Sequence, residues 1–149
     1  MQVVETNKNE RIITTPAFEM LIRDGISYCV YHKDLVVNDT IAKQMTEARL
    51  LLSGNSMLPA LVDARQGAYI TNSARIFLAS SQTYVQVSAM AVLINHHVMN
   101  ILYTTMLRLK TCKAPIRIFT SERTALEWLE KYKETKAGNN SKRISLLLF

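Results

Sequence analysis

The stretch LPALVDARQGAYITNS, residues 58–73, constrains the fold more than any other part of the chain. Its first part, residues 58–64, is apolar with little in–out alternation. A strand with one face in water alternates, whereas a strand covered on both faces does not. A polar bend follows at residues 65–68, and a helix start at residues 71–73. A doubly buried strand that leads through a tight bend into a helix is the βα unit of a parallel sheet. In open α/β sheets, ligands and partners gather at the carboxyl ends of strands, and this junction is such an end.

The flanking sequence extends the pattern. Residues 17–23 and 26–31 are two β-type runs separated by Asp24-Gly25, the dipeptide most typical of a tight hairpin. Asn38 or Asp39 caps a following helix, in which Ile41, Met45, Ala48 and Leu52 recur at helical spacing and Gly54 supplies the stop. A second helix is expected over residues 72–84 and a buried strand over 87–94. Asn95 then caps a third helix over 96–109. The last strand is PIRIFT, residues 115–120, and a fourth helix covers 122–133 with Ala125, Trp128, Leu129 and Tyr132 inward. The order is β-β-α-β-α-β-α-β-α. It implies an α/β domain with a mixed, mostly parallel five-stranded sheet packed with helices. Residues 1–16 read as a flexible N-terminal segment, 17–133 as the domain, and 134–149 as a flexible tail.

Charge narrows the function classes. The net charge is +6 over 149 residues, and no acid occurs between Ala64 and Ser121. Such a region suits an anionic ligand, an acidic partner or a membrane surface, or is a dispersed solvated surface. The basic residues are scattered and few aromatics interleave with them, so nucleic acid is not an expected partner. No apolar run has the roughly 18–20 residues of a membrane helix, and the N-terminus lacks the pattern of a secretory signal. Cys29 and Cys112 read as two free thiols in a reducing, cytoplasmic compartment.

With the strand LPALVDARQGA leading into TNSARIFLAS, the chain resembles the STAS, or SpoIIAA-like, domains of bacterial anti-anti-sigma factors. Its ending KAPIRIFTSERTALEWLEKY resembles stand-alone SpoIIAA-like proteins of the STAS/SEC14 superfamily, through Pro115, Phe119, Thr120, Ala125, Trp128 and Leu129. The resemblance spans residues 17–133. It implies a regulatory domain whose switch is a serine at the start of the helix after the central strand. Ser73 falls at that position, so it is the phosphorylation candidate. Thr71 and Ala74 stand where the family's turn has Asp and Gly, which degrades that switch. The plainer role of Thr71 or Asn72 is to cap the helix.

No catalytic set emerges. His96 and His97 are adjacent, so they point about 100° apart on a helix and do not chelate as an i,i+4 pair could. There is no HExxH, CxxC, G-x-S-x-G or Gly-rich phosphate loop, and no metal or cofactor is expected. The third helix carries an inward stripe and a second apolar stripe of Met99, Tyr103 and Met106. Met and Tyr on the far side suit an adaptable interface. The expected contact surface therefore joins Arg65, Thr71 and Asn72 to Asn95, His96, Met99, Tyr103 and Met106.

The expectation is a non-enzymatic module acting through protein–protein contacts, as a homodimer and with a regulatory protein partner. The alternative is a carrier or sensor of an apolar or anionic, lipid-like small molecule in a cavity of the kind the SEC14/STAS resemblance implies. A closed apolar cavity between the third helix and the sheet favours the carrier, and a flat Met99/Tyr103/Met106 patch favours the interaction module.

Overall fold

The computed structural model describes residues 2–5, 10–67, 69–95 and 114–133. A seven-stranded sheet forms the centre, in the order β1-β2-β3-β4-β6-β8-β9. Strands β1 (Gln2–Glu5), β2 (Arg11–Thr14), β3 (Phe18–Arg23) and β4 (Ile26–Tyr31) are antiparallel neighbours. Strands β4, β6 (Leu58–Asp63), β8 (Val87–Leu93) and β9 (Ile116–Phe119) are parallel neighbours. A two-stranded parallel ribbon pairs β5 (Val36–Val37) with β7 (Tyr69–Ile70). The described helices are α1 (Asp39–Ser53), α2 (Asn72–Leu78), a 3-10 turn at Ser81–Tyr84, and α3 (Glu122–Glu130).

The mixed α/β architecture and the parallel half match the sequence reading, but seven strands replace the expected five. The segment 1–16, read as flexible, contributes the two extra ones. Ile13 points into the core and is fully buried, and the hydroxyl of Thr15 closes the β2–β3 connection on the Phe18 carbonyl at 3.0 Å. The Asp24-Gly25 hairpin forms as read, with φ of 50° and 76°, the pair of positive values that a type I′ turn requires. The second helix stops at Leu78 rather than Tyr84. Thr83 there donates its hydroxyl to the Phe77 carbonyl at 3.0 Å, so the chain turns back on the helix end instead of prolonging it. The expected third helix over 96–109 and the tail 134–149 lie outside the described residues.

Strand β6 is buried on both faces, as its unbroken apolar run implies. Val62 packs into a core with Phe18, Met20, Ala42, Met45 and Ala48, beneath α1 and α2. Its neighbour Leu61 packs into a second core with Ile26, Ala91, Ala125 and Leu129, beneath α3. Pro59 has no N–H to donate, and the β6–β8 register slips between Leu58 and Ala60 at that point. The slip sets Ala60 opposite Met90, which in turn faces Ile116. Helix α1 begins at Asn38, whose side chain accepts from the Ile41 N–H at 2.9 Å, and stops at Gly54, whose φ is 56°.

Because Ile13 is buried in the core, Ile13→Ala is expected to cost about 3 kcal/mol. Urea denaturation checks this. An unchanged midpoint would mean that the first two strands are not part of the cooperative fold.

Candidate functional site

A cavity of about 130 Å³ lies between the sheet and the α1–α2 layer. Its floor is the face of the sheet on which Ser27, Cys29, Ala60 and Val62 stand. Across the floor, Ser27 is opposite Ala60, Ala60 opposite Met90, and Met90 opposite Ile116. Ser27 and Ala60 are too small to reach the helices above, so the space stays open. The roof is Met45, Thr46 and Arg49 from α1, with Arg75 and Leu78 from α2. Tyr31 forms the end wall. The bend after β6 lies on that ring: a Cβ at Gly67 would come within 2.9 Å of Tyr31 Cδ2 and 3.3 Å of the Ala64 carbonyl. Only glycine permits that approach.

The lining is apolar with a few polar groups, the composition of a small-molecule site. Burial dominates their ionisation. The Cys29 thiol is pushed up to about 12, chiefly by burial and further by the nearby Asp63 carboxylate. It is therefore a neutral thiol at neutral pH and a poor nucleophile. Burial also raises the Tyr31 hydroxyl well above its ordinary range. Arg49 is 6% exposed, and its guanidinium donates from Nη1 to the Val85 carbonyl at 2.7 Å and from Nη2 to the Thr83 carbonyl at 2.9 Å. Burial lowers its pKa. These bonds tie α1 to the turn that leads into β8.

The described part of the rim expected from the sequence is largely bonded to itself. Arg65 makes a two-point contact with Asp63, at 2.9 Å from Nε to Oδ1 and 2.7 Å from Nη2 to Oδ2. The hydrogen bond to Asp63 is the main reason its pKa rises. Glu122 stands 3.5 Å from the same guanidinium. The Asn95 side chain donates to the Arg65 carbonyl at 3.1 Å. Thr71 caps α2 by accepting from the Ala74 N–H at 3.2 Å, and its hydroxyl lies 3.1 Å from that of Ser73. Ser73 is exposed beside it, and Asn72 is exposed at the first turn. His96, Met99, Tyr103 and Met106 lie outside the described residues, as does Cys112.

Sequence reading missed the cavity and Arg49. A signal was available for the latter. Ala42, Met45, Arg49 and Ser53 recur at steps of three and four, so Arg49 sits on the inward stripe of α1.

Comparison with known families places the chain. Residues 20–133 match the family described as Domain of unknown function (DUF7793). The chain belongs to the DUF7793 family. The match runs from within β3 through β9 and all three described helices, and so contains the whole cavity floor. No functionally curated protein matches the chain. Among solved structures, an uncharacterized protein from the DUF3478 family with a SpoIIAA-like fold, from Shewanella loihica PV-4, superposes with a TM-score of 0.49. It is 17% identical, over 80% of this chain and 91% of that one. No described helix is long and apolar enough to cross a membrane, and the described residues hold no metal-ligand cluster.

The buried thiol gives the DUF7793 chain a pH signature. A thiol ionises near 9 when unfolded and at about 12 when folded here. Its burial therefore stabilises fully below about 9 and less and less as pH rises toward 12. At pH 10.5 wild type is expected to lose about 2 kcal/mol more than Cys29→Ala does, relative to pH 7. Urea midpoints of both proteins at the two pH values measure the difference.

Proposed function

We propose that this chain is a non-enzymatic binding module whose ligand is a small apolar molecule held between the α1–α2 layer and the sheet. The observation that carries this reading is the cavity itself, about 130 Å³ with a floor of small side chains on paired strands. A rigid apolar cavity of roughly 150 Å³ is large enough to take up benzene. The chemistry of the lining supports binding over catalysis. Cys29 is held protonated, Tyr31 is buried, and two of Arg49's donors are engaged by carbonyl groups. Internal pairing of Arg65 with Asp63 and Glu122 also makes the strand-end rim a weaker candidate than the space below the helices.

A protein-contact role for the neighbouring surface is the second reading. It draws on Val36 and Tyr69, paired across the small ribbon and about half exposed, and on Ile76 of α2, which is 75% exposed. Apolar side chains gathered on a surface mark contact sites. In this reading the partner is a second copy of the chain. Sedimentation velocity at tens of micromolar should then show a dimer that Ile76→Glu converts to monomer. A monomeric wild type removes the reading.

The cavity reading is tested by titrating methyl-labelled protein with 1-hexanol. Saturable shifts are expected at Met20, Met45 and Met90, which line the cavity, and none at Met57, which does not. Ala60→Leu fills the floor and should weaken binding at least tenfold while leaving the circular dichroism spectrum unchanged. Linear shifts, or affinity unaffected by Ala60→Leu, would exclude the cavity as the ligand site.

A further inference from the structure

Among the described residues Arg49 is a buried cation without an anion. Two carbonyl oxygens satisfy two of its five N–H donors, but a carbonyl supplies a dipole and not a charge. Among the described residues no carboxylate pairs with it, and burial alone shifts its pKa. The sequence outside the described residues offers little more. Residues 96–113 contain no Asp or Glu. Glu134 is the one acidic side chain outside the described residues. Arginine does not escape by deprotonating, so among the described residues the charge stands uncompensated at the wall of an apolar cavity. A second cation, Arg75, lines the same cavity from α2.

We infer that the cavity's ligand is an anion, a monocarboxylate on a compact apolar body, and that Arg49 is the counter-charge for its carboxylate. This rests on the cavity reading above and adds the chemical class of the ligand. The small floor side chains receive the apolar body, and the buried guanidinium at the roof receives the head. In so apolar a site a charge-assisted hydrogen bond is stronger than the same contact in water. The volume limits the body to a short aliphatic chain or a single ring. Arg49 as a purely structural tie between α1 and the turn before β8 would treat charged and neutral ligands alike.

The test uses the full chain and matched pairs of probes in isothermal titration calorimetry at pH 7.5: hexanoate against 1-hexanol, and benzoate against benzyl alcohol. Each acid should bind at least tenfold tighter than its alcohol, and the pair with the larger difference identifies an aliphatic or aromatic body. Arg49→Met should abolish the preference and keep the alcohol affinity. Arg49→Lys, which retains the charge, should keep a reduced preference and serves where Arg49→Met fails to fold. Alcohols that bind as well as or better than their acids to wild type overturn the inference while leaving the cavity reading intact. Absence of binding by all four probes overturns both.

Discussion

Two-sided burial of β6 is the constraint on which the rest of the molecule depends. A strand with Val62 in one core and Leu61 in the other needs a layer on each side. Helices α1 and α2 supply one layer and α3 the other, and parallel neighbours β4 and β8 take up its backbone groups. Parallel pairing in turn demands long crossovers, which explains why α1 lies between β4 and β6 and α2 between β6 and β8. The antiparallel hairpins at the start of the chain add width to this unit. They bring Phe18, Met20 and Ile13 to the core beneath α1.

The same constraint creates the cavity. A sheet face built from paired strands holds each Cβ in a fixed place, so a run of small residues leaves space that the helices cannot close by sliding down. Ser27 and Ala60 form such a run, and the register slip at Pro59 aligns it with Met90 and Ile116. On the roof, Arg49 gives two of its donors to the turn before β8 and fixes the height of α1 over that part of the sheet. The end wall is set by Tyr31, held under the bend at Gly67. Cavity shape thus follows from backbone pairing and two specific polar and steric contacts.

Much of this was legible in the sequence. The βα order, the Asp24-Gly25 turn, the caps at Asn38 and Thr71, and the inward positions of Ala125 and Leu129 follow from local rules of periodicity, φ and hydrogen bonding. Strands β1 and β2 did not announce themselves. Every residue of β1 is exposed, so it has no inward face for a pattern to reveal, and β2 buries only Ile13. The end of α2 depends on Thr83 reaching back to Phe77, a contact no periodicity encodes. The cavity was illegible for a deeper reason. It is a deficit of volume summed over strands far apart in sequence, and no single position reports it. Arg65 illustrates the converse: its charge stood out in an acid-free stretch, yet Asp63 and Glu122 from either side of that stretch neutralise it.

The division of the sheet into an antiparallel and a parallel half has a consequence for the order of assembly. Strands β3 and β4 are joined by a two-residue turn, and β2 and β3 by a short connection, so their pairing closes small loops at little entropic cost. Joining β4 to β6, β6 to β8 and β8 to β9 requires closure over whole crossovers, which is slower for the same gain in contacts. The floor of the cavity belongs mostly to that second half, because Ala60, Val62, Met90 and Ile116 meet only after three crossovers have formed. A molecule that occupied the cavity would therefore find no site on a partly assembled chain. Its binding energy would be added entirely to the finished fold, making occupancy a report that assembly is complete.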